Sequence, residues 1–266
     1  MPSVPLERLK PQINAITLQY ENSDLFVNSL IALLKSYSSE IDHSSTKISS
    51  YSIIPQMNVP MVVLNHLEIS LKHLAKKFPD QTIIIASTIW EQRYFETKKI
   101  AIFLLSNLPA QENFAFFDRI DNWITEDIEQ PILLEIFDNL NKSKILSQDP
   151  KWILLIETWL SSKIGRLNKI GLRALVNHLH SKPIKDLPSV FRIIEPLLSN
   201  PHISINNELL EMVKALITVS QAETAAYLIH LSIIYPKKET LSFIRKCLSM
   251  FDSYFASEIK NQIVNL

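Results

Sequence analysis

The chain has 266 residues, 47% of them hydrophobic, so it can bury a sizeable core and intrinsic disorder is not its default state. Its 27 basic and 27 acidic side chains cancel, which excludes attraction to nucleic acid or to an anionic membrane through net charge and leaves only local charge segregation. The single cysteine, Cys247, excludes an internal disulfide framework and any cysteine-based zinc site, fits a reducing compartment, and reads as a small core hydrophobe.

Gly165 and Gly171 are the only glycines, so phosphate-cradling loops and tight hairpins, which need positive φ, are poorly supplied. This argues against Rossmann, P-loop and all-β folds and leaves an all-α protein. In chain order, 3.6-residue periodicity predicts helices near residues 5–20, 24–35, 60–78, 80–92, 94–108, 111–123, 126–141, 149–162, 166–181, 186–199, 205–219, 221–235, 237–249 and 252–265. Asp149-Pro150 and Asn200-Pro201 mark helix entries, while Pro109 and Pro236 fall where a preceding helix must stop. The Ser-rich stretch 36–52 reads as a mobile polar loop. Successive helices with short links and apolar residues over half their circumference suggest one HEAT-like domain over 1–266, an α-solenoid of stacked antiparallel helix pairs. A compact bundle is the rival.

Met1-Pro2-Ser3 leads into a polar segment without an apolar leader core, and no stretch approaches the ~18 apolar residues of a membrane span. A cytoplasmic protein without membrane association is expected. The seven histidines form no metal set with neighbouring carboxylates, so no metal and no cofactor are expected, and no nucleophile elbow occurs.

Charge is uneven along the chain. Between Leu108 and Asn139 eight acidic residues face the single Arg119, whereas between Leu140 and Lys185 nine basic residues face Asp149 and Glu157. Arg166, Lys169 and Arg173 are spaced i, i+3, i+7 on one helix face, with Lys163 just before it. Such a stripe could bridge phosphates, giving salt-dependent affinity without sequence preference, or could be an ordinary solvated face. In "DNWITEDIEQPIL", residues 121–133, Thr125 is a good N-cap, which places Glu126 and Asp127 in a first helical turn and makes Trp123 a core anchor. Pro131 then falls past the first turn and bends the helix.

Taken together and in order, several segments over residues 55–266 resemble the AlkD-like family of DNA alkylation repair glycosylases, which are HEAT-like α-solenoids. "YSIIPQMNVPMVVLNHL" is similar to the family's early Gly-hydrophobic-x-x-Pro segment, with Gln56 where glycine is usual. "IASTIWEQRYFETKKIAIFLL" resembles a helix pair in which a Trp ends one helix and a Glu opens the next, here Trp90 and Glu96. Trp123 and Asp127 fall on the family's Trp-x-x-x-Asp. "WLSSKIGRLNKIGLRALV" is similar to the stretch ending Trp-Leu-Arg-Arg-x-Ala; here Arg166-Leu167-Asn168-Lys169 puts Lys169 at the position of a functional arginine. "YPKKETLSFIRKCLSMFDSYFASEI" looks like the C-terminal helices, and a later functional Trp falls at or beside Tyr227.

The resemblance implies a monomeric, monofunctional DNA glycosylase acting on double-stranded DNA with alkylated bases. Asp127 would stabilise the sugar cation and orient water, Trp123 and Tyr227 would be aromatic walls, and Lys169 with Arg173 a phosphate clamp, alongside Lys163 and Arg166. Zero net charge, the acidic run around Asp127 and the lost arginine pair favour the alternative, a non-catalytic HEAT-like scaffold binding DNA or protein.

Overall fold

The computed structural model describes residues 5–38, 54–125, 127–181 and 186–264. Among these the secondary structure is helical throughout, without a strand, so the all-α expectation holds. The residues gather into two compact units, Met1–Asp149 and Pro150–Leu266. Most of the Ser-rich stretch expected to be a mobile loop lies outside the described residues.

The first unit contains α1 (Leu6–Thr17), α2 (Ser23–Ser36), α3 (Met61–Lys77), α4 (Pro79–Trp90), α5 (Phe95–Ser106), α6 (Asn113–Trp123), α7 (Gln130–Lys142) and α8 (Lys144–Gln148). Helices two apart in sequence pack together: α1 on α3, α3 on α5, α5 on α7, and α2 on α4. The entries follow local chemistry. Asn22 accepts from the Leu25 N–H at 3.0 Å to start α2, and Pro79 opens α4, where its missing N–H costs nothing. The core between the layers includes Leu9, Phe26, Leu30, Leu34, Leu67 and Leu71, all fully buried. Tyr20 shares this core and its hydroxyl lies 2.8 Å from the Thr82 hydroxyl, so its polar end is satisfied.

The second unit contains α9 (Pro150–Leu160), α10 (Gly165–Ser181), α11 (Leu187–Leu198), α12 (Asn206–Val219), α13 (Gln221–Ile234), α14 (Lys238–Cys247) and α15 (Ser253–Val264). Its packing follows the same rule, α9–α11–α13–α15 on one side and α10–α12–α14 on the other. Helices α9 and α10 approach closely at Gly171. A Cβ on Gly171 would meet the Leu160 side chain at 2.8 Å and its backbone nitrogen at 3.2 Å. One turn earlier, the Asn168 amide donates among three α9-end carbonyls, those of Trp159, Leu160 and Ser162, at 2.9–3.1 Å. A side chain at 171 would thus press on Leu160, and the orphan carbonyls at the end of α9 are capped from α10. Cys247 is buried as expected, and burial pushes its thiol up to about 12.

Two expectations are corrected. Helix α7 starts at Gln130, four residues later than the periodicity suggests, and Glu129 holds the N-cap position without a side-chain bond. Pro131 therefore sits in the first turn, where its fixed φ suits the helix and no kink follows. In addition, α8 is a five-residue helix that periodicity did not reveal; Ser143 caps it by accepting from the Leu146 N–H at 3.3 Å.

Candidate functional site

Helix α6 ends at Trp123 because Ile124 turns extended, with φ −83° and ψ 95°. The chain then makes a tight turn in which the Ile128 N–H donates to the Thr125 carbonyl at 3.2 Å. Ile124 and Ile128 are both buried, which anchors the turn at each end, while Asp127 between them is exposed. Thr125 is a turn residue and not the N-cap of α7. Asp127 precedes the N-cap by two residues, so first-turn capping does not account for it.

Trp123 is buried at 9% exposure, and its indole stacks on that of Trp90, the last residue of α4, with centroids 4.1 Å apart and planes within 2°. The Lys98 ammonium lies 4.5 Å from the Trp90 ring centroid and donates to the Trp90 carbonyl. Rings this close leave no room for an ammonium between them, so Lys98 covers the opposite face of Trp90. Burial pulls the Lys98 ammonium's pKa down, while the negative charges of Glu91 and Glu129 oppose that shift.

The start of α5 is itself clamped. Phe95 donates its N–H to the Pro55 carbonyl at 3.0 Å, and the buried Glu96 carboxylate accepts from the Met57 N–H at 3.0 Å. Asn58, between buried Met57 and Val59, takes the left-handed conformation with φ 53°. This loop is where the family resemblance expects a glycine at 56. The left-handed residue is instead Asn58, a type that tolerates that region.

In the second unit, Lys163 and Arg166 are exposed, Lys169 is half-buried and Arg173 is exposed, in order along and just before α10. Arg173 is engaged with Glu208 of α12 at 3.0 Å. Tyr227, on α13, is buried: its ring stacks on Phe191 at 4.3 Å and its hydroxyl donates to the Phe191 carbonyl at 3.2 Å. Burial first, then the nearby Glu195 and Tyr235, push that hydroxyl's pKa well above the ordinary tyrosine value. The turn at Trp123–Asp127 thus belongs to the first unit, and the α10 cations and Tyr227 to the second.

A further feature of the first unit was not singled out from sequence. A cavity of about 470 Å³ opens between α3, α5 and α7, and its wall carries Lys72, Lys76, Lys99 and Lys142 against Glu68 and Glu135. Lys99 pairs with Glu135 at 3.1 Å, and Lys142 pairs with Asp138. Burial raises the Glu68 carboxyl's pKa above the usual carboxylate range, with Lys99 opposing. The signal was present in sequence: Asn65, Glu68, Lys72 and Lys76 fall at i, i+3, i+7 and i+11, one polar face of α3. Among the described residues no group of three or more His, Cys, Asp or Glu could hold a metal, and no helix is long and apolar enough to cross a membrane.

No curated protein matches the chain. A family described as DNA alkylation repair enzyme matches residues 57–240, a span that runs from the Met57 loop through Trp123, Asp127 and α10 to Tyr227. That match covers more than half of the chain, and the protein therefore belongs to the DNA alkylation repair enzyme family.

Proposed function

We propose that this protein, whose family points to a role in DNA repair, is a monofunctional DNA glycosylase that removes cationic N3- and N7-alkylated purines from double-stranded DNA. The observation that carries the reading is the exposed carboxylate of Asp127, presented on a turn anchored by Ile124 and Ile128 directly after a tryptophan whose plane is held by a second indole.

The chemistry asks little of the protein beyond placement of charge. An N7-alkylated purine is already a cation, so when the C1′–N bond breaks its electrons neutralise the base and the sugar takes the positive charge. Asp127 stabilises that developing cation and aligns the water whose oxygen adds to C1′, the released proton passing to the carboxylate or to solvent. The products are the free base and an abasic sugar. Trp123, with one face covered by Trp90 and little of its ring exposed, meets the sugar with the part of its indole that borders the turn, since an aromatic ring attracts positive charge. No metal or cofactor is required by this reaction.

DNA backbone contacts fall to Lys163, Arg166, Lys169 and Arg173. In this reading Tyr227, engaged through both ring and hydroxyl with Phe191, supports its surroundings from within the core. Packing between helices two apart in each unit supports HEAT-like stacking there. The protein is expected to act as a monomer in the cytoplasm.

The deciding experiment is release of N3-methyladenine and N7-methylguanine from alkylated duplex DNA. Excision that falls by roughly 10²–10³ in Asp127→Asn is the expected result; no excision by the wild type sinks the reading. A second reading, a non-catalytic scaffold that binds DNA or protein, is favoured by one observation: Glu208 already occupies Arg173, so part of the α10 charge is neutralised within the protein. DNA binding without excision would be its signature.

A further inference from the structure

We infer that Lys98 is a positioning residue for the proposed excision reaction: through Trp90 it holds the plane of Trp123, and with it the aromatic surface beside Asp127. The inference rests on the glycosylase reading above. Trp123 is the last residue of α6, and its ring lies against the indole of Trp90, parallel at 4.1 Å and contributed from a chain position 33 residues earlier.

Trp90 also ends its helix, where carbonyls lack intrahelical partners and the backbone frays unless something caps it. Lys98 meets both needs with one ammonium. It donates to the Trp90 carbonyl and sits 4.5 Å from the ring centroid on the face away from Trp123. The result is a three-layer stack of ammonium, indole and indole.

The outer end of this stack is anchored, because Lys98 lies three residues into α5, whose first turn is tied down by the Glu96–Met57 and Phe95–Pro55 bonds. The inner end runs straight into the turn that presents Asp127. Glu91 and Glu129 both act electrostatically on Lys98, and Glu129 is the N-cap residue of α7, two places after Asp127. An ammonium kept half-buried with its pKa lowered is costly to hold.

The test uses full-length protein and two readouts. The four tryptophans give four indole N–H cross-peaks in a ¹H–¹⁵N spectrum, and that of Trp123 is identified by its loss in Trp123→Phe. In Lys98→Met the Trp123 peak is expected to move or broaden as its stacking partner is released. Single-turnover release of N7-methylguanine is expected to fall about ten- to hundredfold with DNA affinity unchanged, as small misplacements of a reacting geometry do. Lys98→Arg, which keeps the charge and a donor, is expected to restore both. Trp90→Ala should reproduce the loss, and Trp90→Ala with Lys98→Met should fall no further than Trp90→Ala alone, because the two act in series.

A Trp123 peak unmoved in Lys98→Met overturns the proposal, and so does full excision in that variant when the peak has moved. A wild type that releases no alkylated purine overturns the glycosylase reading instead, and the catalytic purpose of Lys98 falls with it.

Discussion

At the end of α6, one tryptophan is held by residues from elsewhere in the chain: Trp90 stacks on Trp123, Lys98 covers Trp90, and the bond from Glu96 back to Met57 ties down the helix that carries Lys98. Along α10 and just before it, by contrast, four cations follow from helical spacing alone and are mostly exposed. The difference matches what each could do. Stabilising charge at a single sugar atom needs fixed geometry, so its parts must be anchored by packing. Gripping a polyanion needs only charges at tolerable spacing, and flexible lysine and arginine side chains on a helix face suffice. Glu208 beside Arg173 shows that even the second plan is tempered, because Arg173 already has a carboxylate.

The most drastic way to break this comparison is at Asp127. The isosteric change Asp127→Asn removes the charge and keeps the shape, so single-turnover excision should fall by roughly 10²–10³ while duplex binding persists. Because Asp127 is exposed and lies outside the first turn of α7, thermal unfolding should change little. A large loss of stability would mean that the carboxylate has a structural task instead.

Lys169→Glu with Arg173→Glu probes the other region. The double change should abolish DNA binding at physiological salt, and in the milder Lys169→Ala with Arg173→Ala the salt dependence should weaken by about two counterions' worth of slope. Affinity measured over a salt series decides it. An unchanged slope would leave α10 as a solvated face.

Gly171→Ala sharpens the comparison by showing what the α10 stripe depends on. The added methyl group would press on Leu160 at 2.8 Å, and the backbone of Leu160 cannot move away without separating α9 from α10. A loss of about 1–3 kcal/mol in chemical denaturation is expected.

The smallest expected effect is at Glu68, on the wall of the first unit's cavity. Burial raises its folded-state pKa, so the carboxyl adds relative stability that is full below the unfolded value and lost as pH rises through the folded value. Glu68→Gln should therefore raise the melting temperature at neutral pH and make little difference at acid pH. Equal shifts at both would show that the group is not strained by its surroundings.

Sequence alone determined the all-α class, the position of nearly every helix and the stripe on α10, because all three are local: helical periodicity, glycine scarcity and proline placement act over a few residues. It also brought Trp123 and Asp127 to notice through the order of motifs. What it misjudged was short or ambiguous at that range. The start of α7 slipped from 126 to 130 because Thr125 and Pro131 each offer a legitimate entry signal, and burial of Ile128 favours the later one. Helix α8 has five residues, too few for a period to show. The tertiary structure decided the rest. No local rule could pair Trp123 with Trp90 or Glu96 with the Met57 N–H, or bury Tyr227 on Phe191, since those contacts join residues 33 to 39 positions apart and exist only once neighbouring helices have packed.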